Sequence, residues 1–304
     1  MIDDTVIANV RDMAEKAIAK SRSKKNDELF DHLSDGNLVL WPDCERGIPN
    51  EFVRCALFAA KNRKEKREVY RASEPLTITI IGGGKVIFIG EELRQDDEIV
   101  WLQLVNMSKK LRSGVVSFTP YSFLKEIKWP TNGDSYNRLL ISIRRLATCG
   151  IEVFSNRFDK GISTKLIAKY EYGNNNDCLW KVQVFSKEDQ LLFLFDKLYS
   201  RLDWETHLAL PQGVSTWLHS FFSSHREPFG HKIETLANGA GLTLDIDDDE
   251  QMDDAVRTAK RKERIREAKK IIKRSLEALK TNGFLESFEI SSTGLVRVVR
   301  ASRR

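Results

Sequence analysis

Hydrophobic positions recur along this chain at two spacings, and the switches between them mark its elements. In the first 36 residues Ile7, Val10, Met13 and Ala17 repeat at helical spacing before the polar run 21–25 dilutes the pattern. This predicts one helix and a flexible joint. Residues 76–81 and 86–89 are β-branched runs flanking Gly82, Gly83 and Gly84, which predicts a β-hairpin. Residues 99–111 then place Ile99, Leu102, Val105 and Leu111 on one helical face. Thr119 is placed to cap a short helix over 120–127, with Pro120 at its first position. After a turn at 130–133, residues 134–148 predict a third helix with Leu139, Ile143 and Leu146 inward, ended by Gly150. Strand-like runs follow at 151–154, 166–172 and 179–185.

Three helices with a tight turn before the third, then a hairpin, is the order of a winged helix-turn-helix, whose third helix enters the DNA major groove. The order returns further along. Residues 211–224 and 232–240 predict two helices, 256–279 a long third one, and 284–290 with 295–299 a closing hairpin. The expected fold class is therefore α+β, two tandem winged-helix (helix-turn-helix) domains. Residues 1–36 form a leader, 37–200 the first domain and 201–304 the second.

Composition adds exclusions. The 304 residues suit two domains at roughly 150 residues each. The apolar runs fall far short of the ~20 residues of a membrane span, and Asp3 and Asp4 with no apolar run following do not read as a secretory signal. Cys44, Cys55, Cys149 and Cys178 stand apart, so neither a zinc site nor a disulfide framework is expected, and a cytoplasmic location is. The residues 82–86 lack the spacing of a phosphate-binding loop, and the five histidines form no metal-binding motif. No catalytic residue, cofactor or metal is expected.

Net charge is only +5, so the placement of charge matters more than its sum. Residues 257–274 hold ten cations (Arg257, Lys260, Arg261, Lys262, Arg264, Arg266, Lys269, Lys270, Lys273, Arg274) against Glu263 and Glu267. Ile265, Ala268, Ile272, Leu276 and Leu279 recur on one helical face of the same segment. An apolar stripe can dock such a helix while cations face DNA phosphates and guanine edges. The preceding acidic run (Asp245, Asp247, Asp248, Asp249, Glu250, Asp253, Asp254) reads as a solvated linker, or as a shield over the basic helix. In the first domain, Asn132, Ser135, Tyr136, Asn137, Arg138, Arg144 and Arg145 could read bases and phosphates or belong to an ordinary surface helix. Arg157, Lys160 and Lys165 could grip the backbone as a wing.

Several blocks resemble the TrfA family of plasmid replication initiators: residues 41–43, 48–50, 54–58, 90–98, 100–101 and 221–228, in the family's order over about 38–299. The resemblance implies binding to direct repeats (iterons) in duplex DNA at a plasmid origin and melting of the adjacent AT-rich DNA, with contact to one exposed single strand. It also implies recruitment of the host replicative helicase, DnaA and sliding clamp, and a monomer–dimer equilibrium. It places the DNA-reading helices on 132–145 and 264–273. The stretch 37–41 corresponds to the family's clamp-binding pentapeptide Gln-Leu-x-Leu-Phe, with Asn37 and Trp41 at its ends, so Leu38, Leu40 and Trp41 are the expected partner contacts. The rival reading is a winged-helix repressor on an inverted-repeat operator.

Overall fold

A computed structural model describes residues 41–109, 111, 113–156, 161–173, 178–185, 194–195, 199–244 and 253–302. Two apolar cores organise them. The first gathers side chains from Trp41 to Trp204. The second gathers Ala60 and residues from Leu210 to Val298.

The first core is built on α2 (Gln95–Ser108), which is buried along nearly its whole length. Strand β1 (Glu45–Pro49) crosses it and pairs antiparallel with β10 (Tyr199–Asp203); the one-turn α1 (Asn50–Val53) follows β1. The division expected at 200/201 thus falls inside β10. The predicted hairpin forms as β3 (Leu76–Thr79) and β4 (Lys85–Glu91). Its turn needs glycine: Gly82, Gly83 and Gly84 all have φ between 100° and 112°, a region open to residues without a Cβ. β4 also pairs with β2 (Val69–Tyr70) and with β6 (Gly150–Phe154), which pairs with β7 (Ile162–Thr164). A separate sheet runs β5 (Val115–Phe118), β9 (Trp180–Gln183), β8 (Lys169–Glu171). Thr119 caps α3 (Pro120–Glu126) by accepting from the Ser122 amide, and Asn132 caps α4 (Gly133–Thr148) by accepting from the Ser135 amide.

One expected strand differs. Leu166 and Ile167 are both fully buried, but neither pairs with a neighbouring strand. The chain bends there instead, with the Leu166 carbonyl accepting from the Trp101 indole at 3.0 Å, and strand geometry begins only at Lys169.

Helix α5 (Trp204–Ala209) leads to the second core, which packs α6 (Val214–Ser223), α7 (Ile233–Gly239) and α8 (Asp254–Thr281) against the sheet β11 (His231–Lys232), β13 (Leu295–Arg300), β12 (Leu285–Ile290). Gly239 lets α7 close on α6: a Cβ there would lie 2.8 Å from the Trp217 ring.

The two cores are fastened together. The Trp217 indole donates to the Cys55 carbonyl at 3.1 Å, Arg54 donates to the Ser224 hydroxyl and carbonyl at 3.0 and 2.7 Å, and the Ala60 amide donates to the Ala240 carbonyl at 2.7 Å. Glu98 of α2 is wholly buried beside Ser220 of α6, and burial pushes its carboxyl up to about 8. His207 and His219, 3.1 Å apart, are also buried, and burial together with Arg46 pushes His207 down to about 4.

Candidate nucleic-acid interface

Helix α8 has 28 residues and spans about 42 Å. Its buried positions are Ala268, Ile272, Ser275, Leu276 and Leu279, with Ile265 half-buried, so only the C-terminal half docks on the second core. That matches the apolar stripe in the sequence. The N-terminal half stands off the domain, and all but one of its residues from Asp254 to Arg264 are exposed. Asp253 caps this end by accepting from the Ala255 amide at 3.2 Å; the rest of the acidic run, 245–252, lies outside the described residues.

The expected cations Lys260, Arg261, Arg264, Arg266, Lys269, Lys270 and Lys273 are all exposed, with Arg257 half-buried. Short-range ion pairs occur on the helix surface: Arg257–Asp254 at 3.5 Å, Arg266–Glu263 at 3.3 Å, Lys270–Glu267 at 2.8 Å and Lys273–Glu277 at 4.0 Å. Such solvated pairs contribute little to stability and yield readily to phosphate. Lys260, Lys262 and Lys269 carry no ion pair among the described residues. The result is a rod of positive charge with an apolar root.

Helix α4 divides the expected first-domain residues between two faces. Asp134, Asn137, Ile141, Arg144 and Thr148 form its exposed row. Arg144 sits beside Tyr170 of β8, whose hydroxyl raises its affinity for its proton. Tyr170 and Tyr172 stack there at 6.0 Å. This pair was not among the expected site residues; the signal for it was the i, i+2 spacing that puts both on one strand face. Lys165 is exposed between β7 and β8, while Arg157 and Lys160 lie outside the described residues.

The other α4 residues turn inward, which corrects their expected availability to DNA. Ser135 is buried and Tyr136 packs against the first core. Arg145 donates to Glu91 at 2.8 Å and to Asp97 at 3.2 Å. Arg138 lies 3.5 Å from the centre of the Trp129 ring and 3.5 Å from Asp96. The cause is the acidic start of α2. Asp97 is fully buried and accepts from Arg67 at 2.6 Å, Ser142 at 2.6 Å, the Arg94 amide at 3.0 Å and Arg145. Burial raises Asp96, but Arg67 and Arg138 outweigh it and hold the carboxyl below its ordinary range. A buried carboxylate needs its cations at hand, so α4 supplies them. The block 90–98 noted in the sequence is this network.

Trp41 is also corrected as a partner contact. It is 3% exposed, stacks on Phe195 at 5.8 Å and donates to Asn106 at 3.0 Å. Its ring is part of the first core. Leu38 and Leu40 lie outside the described residues.

The chain matches the family model described as TrfA protein over residues 3–288. It belongs to the TrfA family. The match starts at residue 3, so the leader falls inside it, whereas the resemblance in the sequence ran from about residue 38. A curated TrfA relative, the plasmid replication initiator protein TrfA of Escherichia coli, is 28% identical over 229 residues, covering 75% of this chain. The chain spans 59% of that relative's length. Among solved structures, domains 2 and 3 of RctB superpose with a TM-score of 0.54 at 12% identity, over 84% of this chain and 99% of that one. This likeness is one of fold. The Pi initiator protein, solved in complex with iteron DNA, gives a TM-score of 0.45 at 12% identity, over 71% of this chain and 98% of that one.

Among the described residues no helix is long and apolar enough to cross a membrane, and no cluster of His, Cys, Asp and Glu could hold a metal ion.

Proposed function

We propose that this TrfA-family chain initiates plasmid replication in the cytoplasm by binding direct repeats at the origin, as a non-enzymatic protein. Each core is read as a winged helix. In the second, α6, β11, α7, α8 and the β12–β13 hairpin follow one another in the winged-helix order; in the first, α2, α3, α4 and the β6–β7 hairpin do. The observation that carries the reading is α8, whose docked apolar stripe leaves ten cations against two carboxylates along residues 257–274. A polyanion with regularly spaced phosphates suits that face. On α4 the contacts assigned are Asn132, Asn137, Arg144 and the neighbouring Lys165, with Arg138 and Arg145 acting as internal supports. Melting of AT-rich DNA, contact with one exposed strand, recruitment of helicase, DnaA and sliding clamp, and a monomer–dimer equilibrium belong to the same reading.

Fluorescence anisotropy on a duplex of direct repeats from the plasmid's own origin tests it, with a base-shuffled duplex as control, titrated across ~50–200 mM salt. About eight phosphate contacts should lower affinity roughly 10³–10⁵-fold over that range while the preference for repeats persists. Equal binding to both duplexes would reduce α8 to an electrostatic grip and defeat the reading.

A further inference from the structure

Between the two cores lies a cleft of about 970 Å³, lined on one side by residues 60–63, 65, 66 and 68 of one loop and on the other by Ile271, Arg274 and Ser275 of α8. The loop carries Lys61, Arg63, Lys64 and Lys66. Lys61 is paired with Glu92 at 2.6 Å. Arg63, Lys64 and Lys66 are exposed, and neither they nor Arg274 has an ion pair among the described residues.

The loop is held in place from below. Arg94, only 1% exposed, donates through one guanidinium to the carbonyls of Asn62, of Glu65 at 3.0 Å and of Lys66 at 3.0 Å. Glu92 neutralises that guanidinium at 2.7 Å. Arg67, at the loop's end, is fixed by Asp96 at 2.9 Å and Asp97 at 2.6 Å. At its start the Ala60 amide is bound to the second core. A buried arginine spent on three loop carbonyls fixes the backbone while its cationic side chains remain outside.

The loop also sits between the two candidate reading helices. Burial and, to a smaller extent, the nearby Arg63 disfavour the charge of Arg138 on α4, against Asp96, which favours it. Gln212, on the same cleft, accepts from Arg138 at 3.5 Å. Arg274 shares its helical row with Arg264 and Lys260 further up α8. Arg63, Lys66 and Arg274 thus line the cleft together with the carboxylates of Glu65 and Glu68, and a phosphate there would meet the three cations that no ion pair among the described residues holds. On the replication-initiator reading, two helices in successive major-groove segments leave a length of phosphate backbone between them, which a loop between the helices would meet.

Resting on the replication-initiator reading, we infer that the loop 60–67 is a third DNA contact. Arg63, Lys64 and Lys66, with Arg274 opposite, grip the phosphates that run between the segments read by α4 and α8. The contact recognises backbone only and carries no base preference.

The test uses the full chain with Arg63→Ala, Lys64→Ala and Lys66→Ala combined, on the repeat and shuffled duplexes. A control combines Lys125→Ala with Lys181→Ala, two exposed cations outside both the loop and the cleft. Three lost contacts should flatten the dependence of log affinity on log salt by up to ~2.7 and weaken both duplexes together, roughly tenfold or more near 100 mM salt. The control should change the slope by less than ~0.5, and ethylation interference should vanish at the phosphates between the two groove segments. A triple variant with the wild-type slope and interference pattern, while wild type still prefers its repeats, would overturn the loop contact alone. No repeat preference in wild type would overturn both readings.

Discussion

Replacing Asp97 by alanine removes the acceptor on which the first core converges, and its cost follows from the contacts. The carboxylate is fully buried and takes hydrogen bonds from Arg67, Arg145, Ser142 and the Arg94 amide. Without it, Arg67 keeps Asp96 and the Glu92 carbonyl, and Arg145 keeps Glu91. Neither cation is wholly abandoned, which places the loss near the lower end of the ~3–5 kcal/mol measured when one partner of a buried pair is removed. At about 2–4 °C per kcal/mol for a unit of this size, 3 kcal/mol corresponds to a fall of roughly 6–12 °C in the first core's melting temperature. Calorimetry on wild type and Asp97→Ala reads this directly. Adding Arg145→Ala should give a double-mutant coupling of about 0.5–3 kcal/mol, because the two side chains touch. A shift below 2 °C, or zero coupling, would mean that the cluster does not hold α4 in place. Arg145→Ala alone should also leave the salt dependence of DNA binding unchanged, since the structure turns that side chain inward.

Three further perturbations address other links. Reversing Lys269 and Lys270 to Glu should flatten the salt dependence on the repeat duplex by about 2, at ~0.9 for each phosphate contact, and an unchanged slope would take these residues out of the interface. Glu98→Gln should alter the pH profile of stability: the folded carboxyl sits at about 8 instead of 4.5, so its contribution is complete below pH 4.5 and is lost as pH rises toward 8. The glutamine variant should therefore be more stable than wild type by on the order of 3 kcal/mol at pH 7 and level with it near pH 4, as read by urea denaturation; parallel profiles would show that Glu98 is solvated. Trp217→Phe strips the donor from the buried Cys55 carbonyl at the junction of the cores, with an expected loss of about 1–3 kcal/mol in urea and partial separation of the two unfolding transitions. A loss below about 0.5 kcal/mol would show that the junction tolerates that carbonyl unpaired.

Much of the chain was legible residue by residue. The stripe of Ile265, Ala268, Ile272, Leu276 and Leu279 shows where α8 docks, because a 3.6-residue period is a local property of the sequence. The capping signals at Thr119 and Asn132 and the glycine turn at 82–84 were legible for the same reason. Side-chain partners across long separations were not. Arg138 and Arg145 look like any cations on a DNA-facing helix until Asp96 and Asp97, some 40 to 50 residues earlier in the chain, are packed beneath them. Trp41 reads as the end of a docking peptide until Phe195 and Tyr199 close over it.

The sequence alone therefore settled where the longer helices and the hairpins of the described residues form, and where positive charge accumulates. Whether a given cation faces solvent or a buried carboxylate was decided only by folding, because burial makes an unpaired charge far more costly than it is in water. The same packing set Arg94 under the carbonyls of 62–66, turning an ordinary basic stretch into a fixed loop between α4 and α8.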